Sequence, residues 1–105
     1  MQIPKNKRAR SKKITQSARG EDCTLRISGV CNFNPETVVF CHINGAGMGI
    51  KAHDLHGYYA CSNCHDASDG RTGNIFSDWA MPKDILRAMI ETQSILIQKG
   101  LIKIN

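Results

Sequence analysis

The residues with the clearest capacity for chemistry are Cys61 and Cys64, which are separated by two residues and followed directly by His65. Two thiolates at this spacing can bind one tetrahedral metal ion, because the two intervening residues let the backbone fold into a knuckle. The motif alone also fits a redox pair, and with the adjoining histidine it fits a haem attachment site. No βαβ pattern surrounds it, which argues against the redox pair.

A second pair of cysteines, Cys23 and Cys31, lies upstream and favours a metal site. A short strand and turn would bring these two sulfurs together, and Cys23, Cys31, Cys61 and Cys64 would then form a closed, structural Zn²⁺ site. The alternatives are disulfides or separate buried thiols, and a buried thiol is the prediction for Cys41. The basic N-terminal stretch has no apolar core of signal-peptide type, so we expect a reducing cytosol, which disfavours disulfides and exported haem proteins.

The charge of the chain is concentrated at its N-terminus. The 105 residues carry a formal net charge of +5, but residues 1–20 hold seven lysines and arginines and no acid. We therefore expect residues 1–17 to be a basic, flexible arm and residues 18–105 to be one domain. The arm favours a nucleic acid partner, with a merely solvated tail as the alternative. The cations assigned to phosphate binding are Lys7, Arg8, Arg10, Lys12, Lys13, Arg19 and Lys51.

The elements that must position these residues follow from hydrophobic periodicity and from start and stop signals. No apolar run is long enough for a membrane span, so no membrane partner is expected. In chain order the sequence predicts a helix from Ser11 to Glu21, strands at Thr24–Ser28 and Thr37–Ile43, a glycine-bearing loop over 44–49, a polar linker over 51–57, a helix from Ser62 to Asp69, a helix from Pro82 to Lys99 stopped by Gly100, and a strand at Leu101–Ile104. Six apolar positions of the long helix are predicted to be core: Ile85, Leu86, Met89, Ile90, Leu96 and Ile97.

Two histidines fall where this arrangement would allow catalysis. His42 ends the predicted strand at 37–43, and His65 opens the helix after the knuckle. Two strands and a helix around a metal form an α+β domain of the ββα-metal type, here with a C-terminal helix. In it, the His42 imidazole could take a proton from water. Because a zinc with four cysteines has no open position, catalysis would need a second divalent ion at His65.

The sequence resembles the HNH (His-Me finger) nucleases, and more closely the YbcO-like prophage nuclease family. The matching residues lie between 18 and 71 and comprise Ala18-Arg19-Gly20, Cys23, Arg26-Ile27, Gly29-Val30-Cys31-Asn32, Asn34-Pro35-Glu36-Thr37, His42-Ile43, Gly47-Met48-Gly49, Lys51, Asp54 and Ala60-Cys61-Ser62-Asn63-Cys64-His65-Asp66.

The resemblance implies a metal-dependent endonuclease that cleaves DNA phosphodiester bonds. It implies His42 as general base, His65 as ligand of a catalytic Mg²⁺, Mn²⁺ or Zn²⁺ ion, and Asp54 in place of the family's middle Asn. It also implies a structural Zn²⁺ on the four cysteines. The chain departs from many HNH proteins at Cys41, where they carry an Asp or His that helps to bind the catalytic ion; a thiol suits a softer metal better than Mg²⁺.

Two other functions remain open at this point. The first is a non-catalytic, zinc-stabilised module that binds nucleic acid and needs neither histidine. The second is an adaptor that docks on phage recombination or replication proteins through the 82–99 helix, which an exposed apolar stripe on that helix would support.

Overall fold

The computed structural model describes residues 10–43, 53–68 and 80–104, with the backbone alone at 80–82. These residues form a small α+β structure with one two-stranded sheet. Its elements are α1 (Lys12–Gln16), a 3-10 turn (Pro35–Thr37), β1 (Val39–His42), β2 (Gly57–Ala60), α2 (Ser62–Ser68) and α3 (Ala80–Gln98).

The centre of the structure is the antiparallel pair of β1 and β2. Val39 lies opposite Ala60 and His42 lies opposite Gly57. All four residues of β2 are buried, so this strand is covered on both of its faces. Strand β2 contacts both α3 and α2, and β1 contacts α1 and α2. The predicted linker over 51–57 thus ends one residue early, because Gly57 is already part of β2.

Buried threonines fasten α3 to β2. Thr92 Oγ1 accepts a hydrogen bond from the Tyr59 amide at 3.1 Å, and Thr24 Oγ1 donates to the Tyr59 carbonyl at 2.8 Å. The two threonine hydroxyls lie 3.0 Å apart. The loop that begins at Cys23, strand β2 and helix α3 therefore meet in one hydrogen-bonded network. Such a network specifies the orientation of α3 on β2 more closely than apolar contacts alone would.

Helix α3 is apolar on two opposite sides. Ala88, Thr92 and Leu96 are fully buried, with Ile85 and Ile95 partly buried beside them. The prediction of core positions is wrong for three residues: the exposed fractions of Leu86, Ile90 and Ile97 are 54%, 55% and 45%. At 3.6 residues per turn these three share the side of the helix that faces away from the core.

The C-terminal end of α3 explains why no strand follows it. Gly100, with φ +75°, adopts the left-handed conformation predicted for a stop residue. Its amide donates to the Ile97 carbonyl, and the Leu101 amide donates to the Leu96 carbonyl at 2.9 Å. This is a Schellman cap, which satisfies the last carbonyls of the helix. The predicted strand at 101–104 is wrong, since these residues form a bend and an irregular end.

Helix α1 is shorter than predicted. Its N-cap is Ser11, as the sequence indicated, and the Ser11 hydroxyl accepts a hydrogen bond from the Ile14 amide. The helix ends at Gln16 and is followed by a turn that runs to Gly20, whose φ is +76°. We call residues 1–20, which carry the N-terminal lysines and arginines, the basic segment. Ile14 is buried, so the described part of this segment packs on the fold. The division into an arm over 1–17 and a domain over 18–105 stays a prediction.

Several predicted features fall on residues outside the described ranges: the glycine-bearing loop over 44–49, Lys7, Arg8, Lys51 and the end of the α2 helix at Asp69. In the portion of the chain that the structure describes, no helix combines the length and the hydropathy that crossing a membrane requires.

Candidate active site and metal centre

Four cysteines from three parts of the chain converge on one point. Cys23 and Cys31 come from the loop before the 3-10 turn, Cys61 follows β2, and Cys64 lies in the first turn of α2. Their sulfur atoms all lie within 4.8 Å of one another, and those of Cys31 and Cys61 are 3.9 Å apart. Tetrahedral Zn–S bonds of about 2.3 Å place sulfurs about 3.8 Å apart, so this donor set fits a metal ion such as zinc.

Backbone amides point at three of these sulfurs. The Arg26 amide donates to Cys23 Sγ, the Ile27 amide to Cys64 Sγ, and the Cys64 amide to Cys61 Sγ, each at 3.4 Å. Such bonds stabilise the negative charge that thiolates bring to a metal. They also explain why the predicted strand at 24–28 is wrong: Arg26 takes a left-handed φ of 41°, which turns the amides toward sulfur instead of a neighbouring strand.

Three of these thiols differ in how strongly they hold their protons. The Cys64 thiol donates a hydrogen bond to Cys23, which lowers the pKa of Cys23 to about 4 and raises the pKa of Cys64. Burial raises the pKa of Cys31 to about 11. Near neutral pH, Cys31 and Cys64 thus carry protons that a metal ion would displace, because thiolates are the ligands.

Disulfides do not account for the cysteines. All five lie in the described part of the chain, and none of them forms a disulfide there. Cys41 is buried in β1 and stands outside the group of four. The quartet therefore combines the right donors, spacing and burial for a closed metal site.

An asparagine beside the quartet ties its loop to α2. The Asn32 side-chain amide donates to Ser62 Oγ at 3.1 Å, and its carbonyl oxygen accepts from the Asn34 amide at 2.8 Å and from Thr37 Oγ1 at 3.3 Å. The Thr37 hydroxyl in turn accepts from the Ser62 amide. Sequence reasoning gave Asn32 no role of its own, since only the tertiary structure brings it to the start of α2.

The second group of chemically capable residues lies at the far end of the hairpin. His42, the last residue of β1, places Nε2 at 2.7 Å from Asp54 Oδ1. The Asp54 carboxylate is buried, with 9% of its side chain exposed, whereas His42 is 34% exposed. A carboxylate can only accept hydrogen bonds, so Nε2 carries a proton, and in the neutral form of the ring Nδ1 is the nitrogen with the lone pair. The structure thus brings together two of the residues predicted to be catalytic.

An aromatic ring flanks the imidazole. Phe40 lies two residues before His42 on the same face of β1, and the two rings meet edge to face with centroids 5.2 Å apart. The Phe40 ring occupies the space above Gly57, where an added Cβ would lie 2.3 Å from Phe40 Cε1. The orientation of His42 is therefore fixed by a carboxylate and by a packed ring. The two-residue periodicity of a strand could have suggested Phe40 as a neighbour.

The other oxygen of Asp54 reaches a distant part of the chain. Asp54 Oδ2 accepts a hydrogen bond from the backbone amide of Ser11 at 2.5 Å, although the two residues are 43 positions apart. No side-chain pattern marks a contact made by a backbone amide, so the sequence could not indicate it.

His65 occupies the fourth position of α2 and is half-buried, and α2 contacts both strands of the hairpin. Across residues 10–43, 53–68 and 80–104, the cysteine quartet is the one group of three or more metal-binding side chains gathered within ligand distance. His65 does not belong to such a group. His53 and His56 contact each other edge to face in the turn before β2.

The predicted phosphate-binding cations that the structure describes are all exposed: Arg10, Lys12, Lys13 and Arg19. Arg10, Lys12 and Lys13 lie within two residues of Ser11, the N-cap of α1.

Comparison with known proteins identifies the family of the chain. The profile of the family described as "Putative nuclease YbcO" matches residues 12–101. "Putative nuclease YbcO" of Escherichia coli (strain K12) and "Putative nuclease ybcO" of Enterobacteria phage 82 are each 43% identical over 93 residues, which is 86% of this chain and 96% of theirs. A solved structure, described as that of a putative bacteriophage protein from Escherichia coli K-12, has 41% identity and a TM-score of 0.70 over 82% of this chain and 98% of its own. The chain therefore belongs to the family described as "Putative nuclease YbcO".

Proposed function

We propose that the protein is a metal-dependent phage endonuclease of the HNH type that hydrolyses DNA phosphodiester bonds in the bacterial cytoplasm. The observation that carries the proposal is the His42–Asp54 pair, held at the end of a β-hairpin whose other end runs into a four-cysteine centre. The β1–β2 hairpin and α2 supply the two strands and helix of a ββα-metal unit. The family's name indicates a nucleic acid substrate.

His42 serves as the general base. Its Nε2–H donates to Asp54, so Nδ1 is the nitrogen that accepts a proton from the attacking water. The carboxylate also stabilises the imidazolium that forms when the proton arrives, because opposite charges lie 2.7 Å apart in a largely buried site.

His65 serves as a ligand of a second divalent cation, Mg²⁺, Mn²⁺ or Zn²⁺. When bound, such an ion supplies charge stabilisation to the scissile phosphate and to the departing oxygen. The sulfur of Cys41, at the position where many HNH proteins have a further ligand, is buried in the strand. We therefore infer that His65 would hold this ion and that Cys41 would not contribute a ligand to it.

The cysteine quartet holds a structural Zn²⁺. Its sulfurs leave no open position for substrate, so its role is to fix the loop at 23–31 against the β2–α2 junction. The exposed cations Arg10, Lys12, Lys13 and Arg19 bind phosphates, with affinity that falls as salt rises.

A plasmid-nicking assay tests the proposal. Supercoiled plasmid is incubated with parent protein and with His65→Ala, in the presence of Mg²⁺, Mn²⁺ or Zn²⁺. We expect nicking by the parent that depends on added cation, and loss of it in His65→Ala. His56→Ala, which alters an exposed histidine of the loop, is the matched control and should nick like the parent. Salt-dependent DNA binding without cleavage under any cation would instead support a non-catalytic binding module.

One observation favours a second candidate function, that of an adaptor. The outer side of α3 exposes Leu86, Ile90 and Ile97, which is the stripe expected of a helix that docks on another protein. Binding to purified recombination and replication proteins of the same phage, measured by calorimetry with parent and with Ile90→Ser, tests it. Equal binding affinities and enthalpies for the parent and Ile90→Ser would show that this side of α3 is not the docking surface.

A further inference from the structure

We propose that Asp54 joins the basic segment to the candidate active site, so that Arg10, Lys12 and Lys13 bind the same nucleic acid strand whose phosphodiester faces His42. This inference rests on the proposed function of His42 and adds to it a positioning role for Asp54 and a fixed location for the cations.

Both oxygens of one buried carboxylate are used. Asp54 Oδ1 accepts from His42 Nε2 at 2.7 Å, and Oδ2 accepts from the Ser11 amide at 2.5 Å. Hydrogen bonds to a charged acceptor in a buried site are among the stronger ones in proteins. The catalytic ring and the start of α1 are therefore bridged by a single side chain.

The basic segment is held at two further points. Ile14 is buried against the fold, and the Ser17 hydroxyl lies 2.6 Å from the hydroxyl of the buried Tyr59. Residues 11–17 consequently have a defined position beside the hairpin. Loss of the Asp54 contact would release the leading end of α1 while the other two contacts remain.

The charge of this segment specifies the partner. Arg10, Lys12 and Lys13 are exposed, and residues 1–20 contain no acid. The negative charge of Asp54 is already directed at the Ser11 amide and at His42. A polyanion with closely spaced charges is the ligand that such a segment attracts, and a nucleic acid strand presents one charge about every 3.4 Å.

A double-mutant cycle tests the coupling. Binding of a fluorescein-labelled 20-base-pair duplex is measured without added divalent cations for the parent, Lys12→Ala/Lys13→Ala, Asp54→Ala and the combined variant. The lysine substitutions should raise the dissociation constant in both backgrounds. We expect the fold-increase to be at least about three times as large in the parent as in Asp54→Ala, since coupled residues deviate from additivity. The control Lys83→Ala/Lys103→Ala removes two exposed lysines elsewhere, and it should change the dissociation constant by the same factor in both backgrounds.

The exchange rate of the Ser11 amide proton, measured by NMR in the same proteins, gives a structural readout. It should rise in Asp54→Ala while amides of α3 remain protected. Asp54→Leu, which is similar in size and has no atom that can accept from the Ser11 amide, provides the second variant if Asp54→Ala does not fold. Equal losses from Lys12→Ala/Lys13→Ala in both backgrounds would overturn the inference. Neither measurement requires cleavage. The coupling can therefore be absent while the parent still nicks plasmid, and it can be present in a protein that does not nick.

Discussion

At the scale of single residues, the chemistry depends on which nitrogen of His42 carries the proton. Asp54 accepts from two donors at once, the Ser11 amide and His42 Nε2, and a carboxylate is the side chain whose two oxygens can both accept. This fixes the tautomer that leaves Nδ1 able to accept a proton. An asparagine in the same place would have one oxygen and one NH₂ group to offer.

We therefore expect Asp54→Asn to fold but to lose cleavage. The Ser11 amide can only donate, so it keeps its hydrogen bond to the side-chain oxygen of the asparagine. The NH₂ group of the asparagine then faces His42 Nε2. That nitrogen must accept, which moves the ring proton to Nδ1 and removes the base. Losses of about 10²- to 10⁴-fold are typical when general-base catalysis is removed. The ¹⁵N shifts of the imidazole, measured beside nicking rates, check the tautomer; parent-like shifts and rates would contradict this account.

A second residue-scale prediction concerns Gly57. A Cβ added there would lie 2.3 Å from the Phe40 ring and 2.5 Å from the backbone oxygen of Cys41, and the backbone cannot move aside cheaply. Gly57→Ala should lower the free energy of unfolding by about 1–3 kcal/mol, as overpacking does. Urea denaturation measures this, with Ser28→Ala in an exposed turn as control. An unchanged midpoint would mean that Phe40 does not occupy that space.

At the scale of elements, the cysteine quartet joins a loop without regular structure to the β2–α2 junction. Much of this could be predicted. The Cys-x-x-Cys spacing predicted the knuckle and the helix that follows it, α2. The β-branched residues before His42 predicted β1. The strand at 24–28 could not be excluded in advance, because its alternating residues look like a strand until the amides of Arg26 and Ile27 find sulfur acceptors.

Removal of the metal should release this loop. We expect fresh protein to contain about one zinc per chain, and a chelator to lower its melting temperature, because metal binding contributes folding free energy. Cys64→Ser should lose the zinc, whereas Cys41→Ser, outside the quartet, should retain it. Metal analysis together with circular dichroism makes both measurements. Full stability of a zinc-free protein would refute a structural metal.

Helix α3 shows the limit of periodicity as a guide. Leu96 and Ile90 have the same apolar character in the sequence, yet one is buried and the other is 55% exposed. Both sides of the helix carry a stripe at helical spacing, and only contacts with β2 decide which stripe enters the core. The predictions for Leu86, Ile90 and Ile97 failed for this reason.

The two stripes should differ in their contribution to stability. Leu96→Ala leaves a buried cavity and should cost about 2–5 kcal/mol of the free energy of unfolding. Ile90→Ala, on the exposed side of the same helix, should change it by no more than about 0.5 kcal/mol. Chemical denaturation of the two variants compares them directly. A large loss from Ile90→Ala in the monomer would show that the outer side is covered.

At the scale of the whole molecule, two sites share one hairpin: metal-binding sulfurs at the end that leads into α2, and the His42–Asp54 pair at the other. Basic residues are concentrated in one segment, which contacts the fold beside His42. Cysteine spacing and the position of His42 at the end of a predicted strand could suggest the two sites from the sequence. The link between the His42–Asp54 site and the basic segment depends on a backbone amide and a loop carboxylate, which no sequence pattern connects.

The central claim, that His42 is the general base of a nuclease, is tested most directly by the rate at which saturating protein nicks supercoiled plasmid. Parent and His42→Ala are compared in the same samples in which DNA binding and zinc content are measured. We predict unchanged binding and zinc, with nicking slower by about 10²- to 10⁴-fold in His42→Ala. Nicking by His42→Ala at the parent rate would contradict the account.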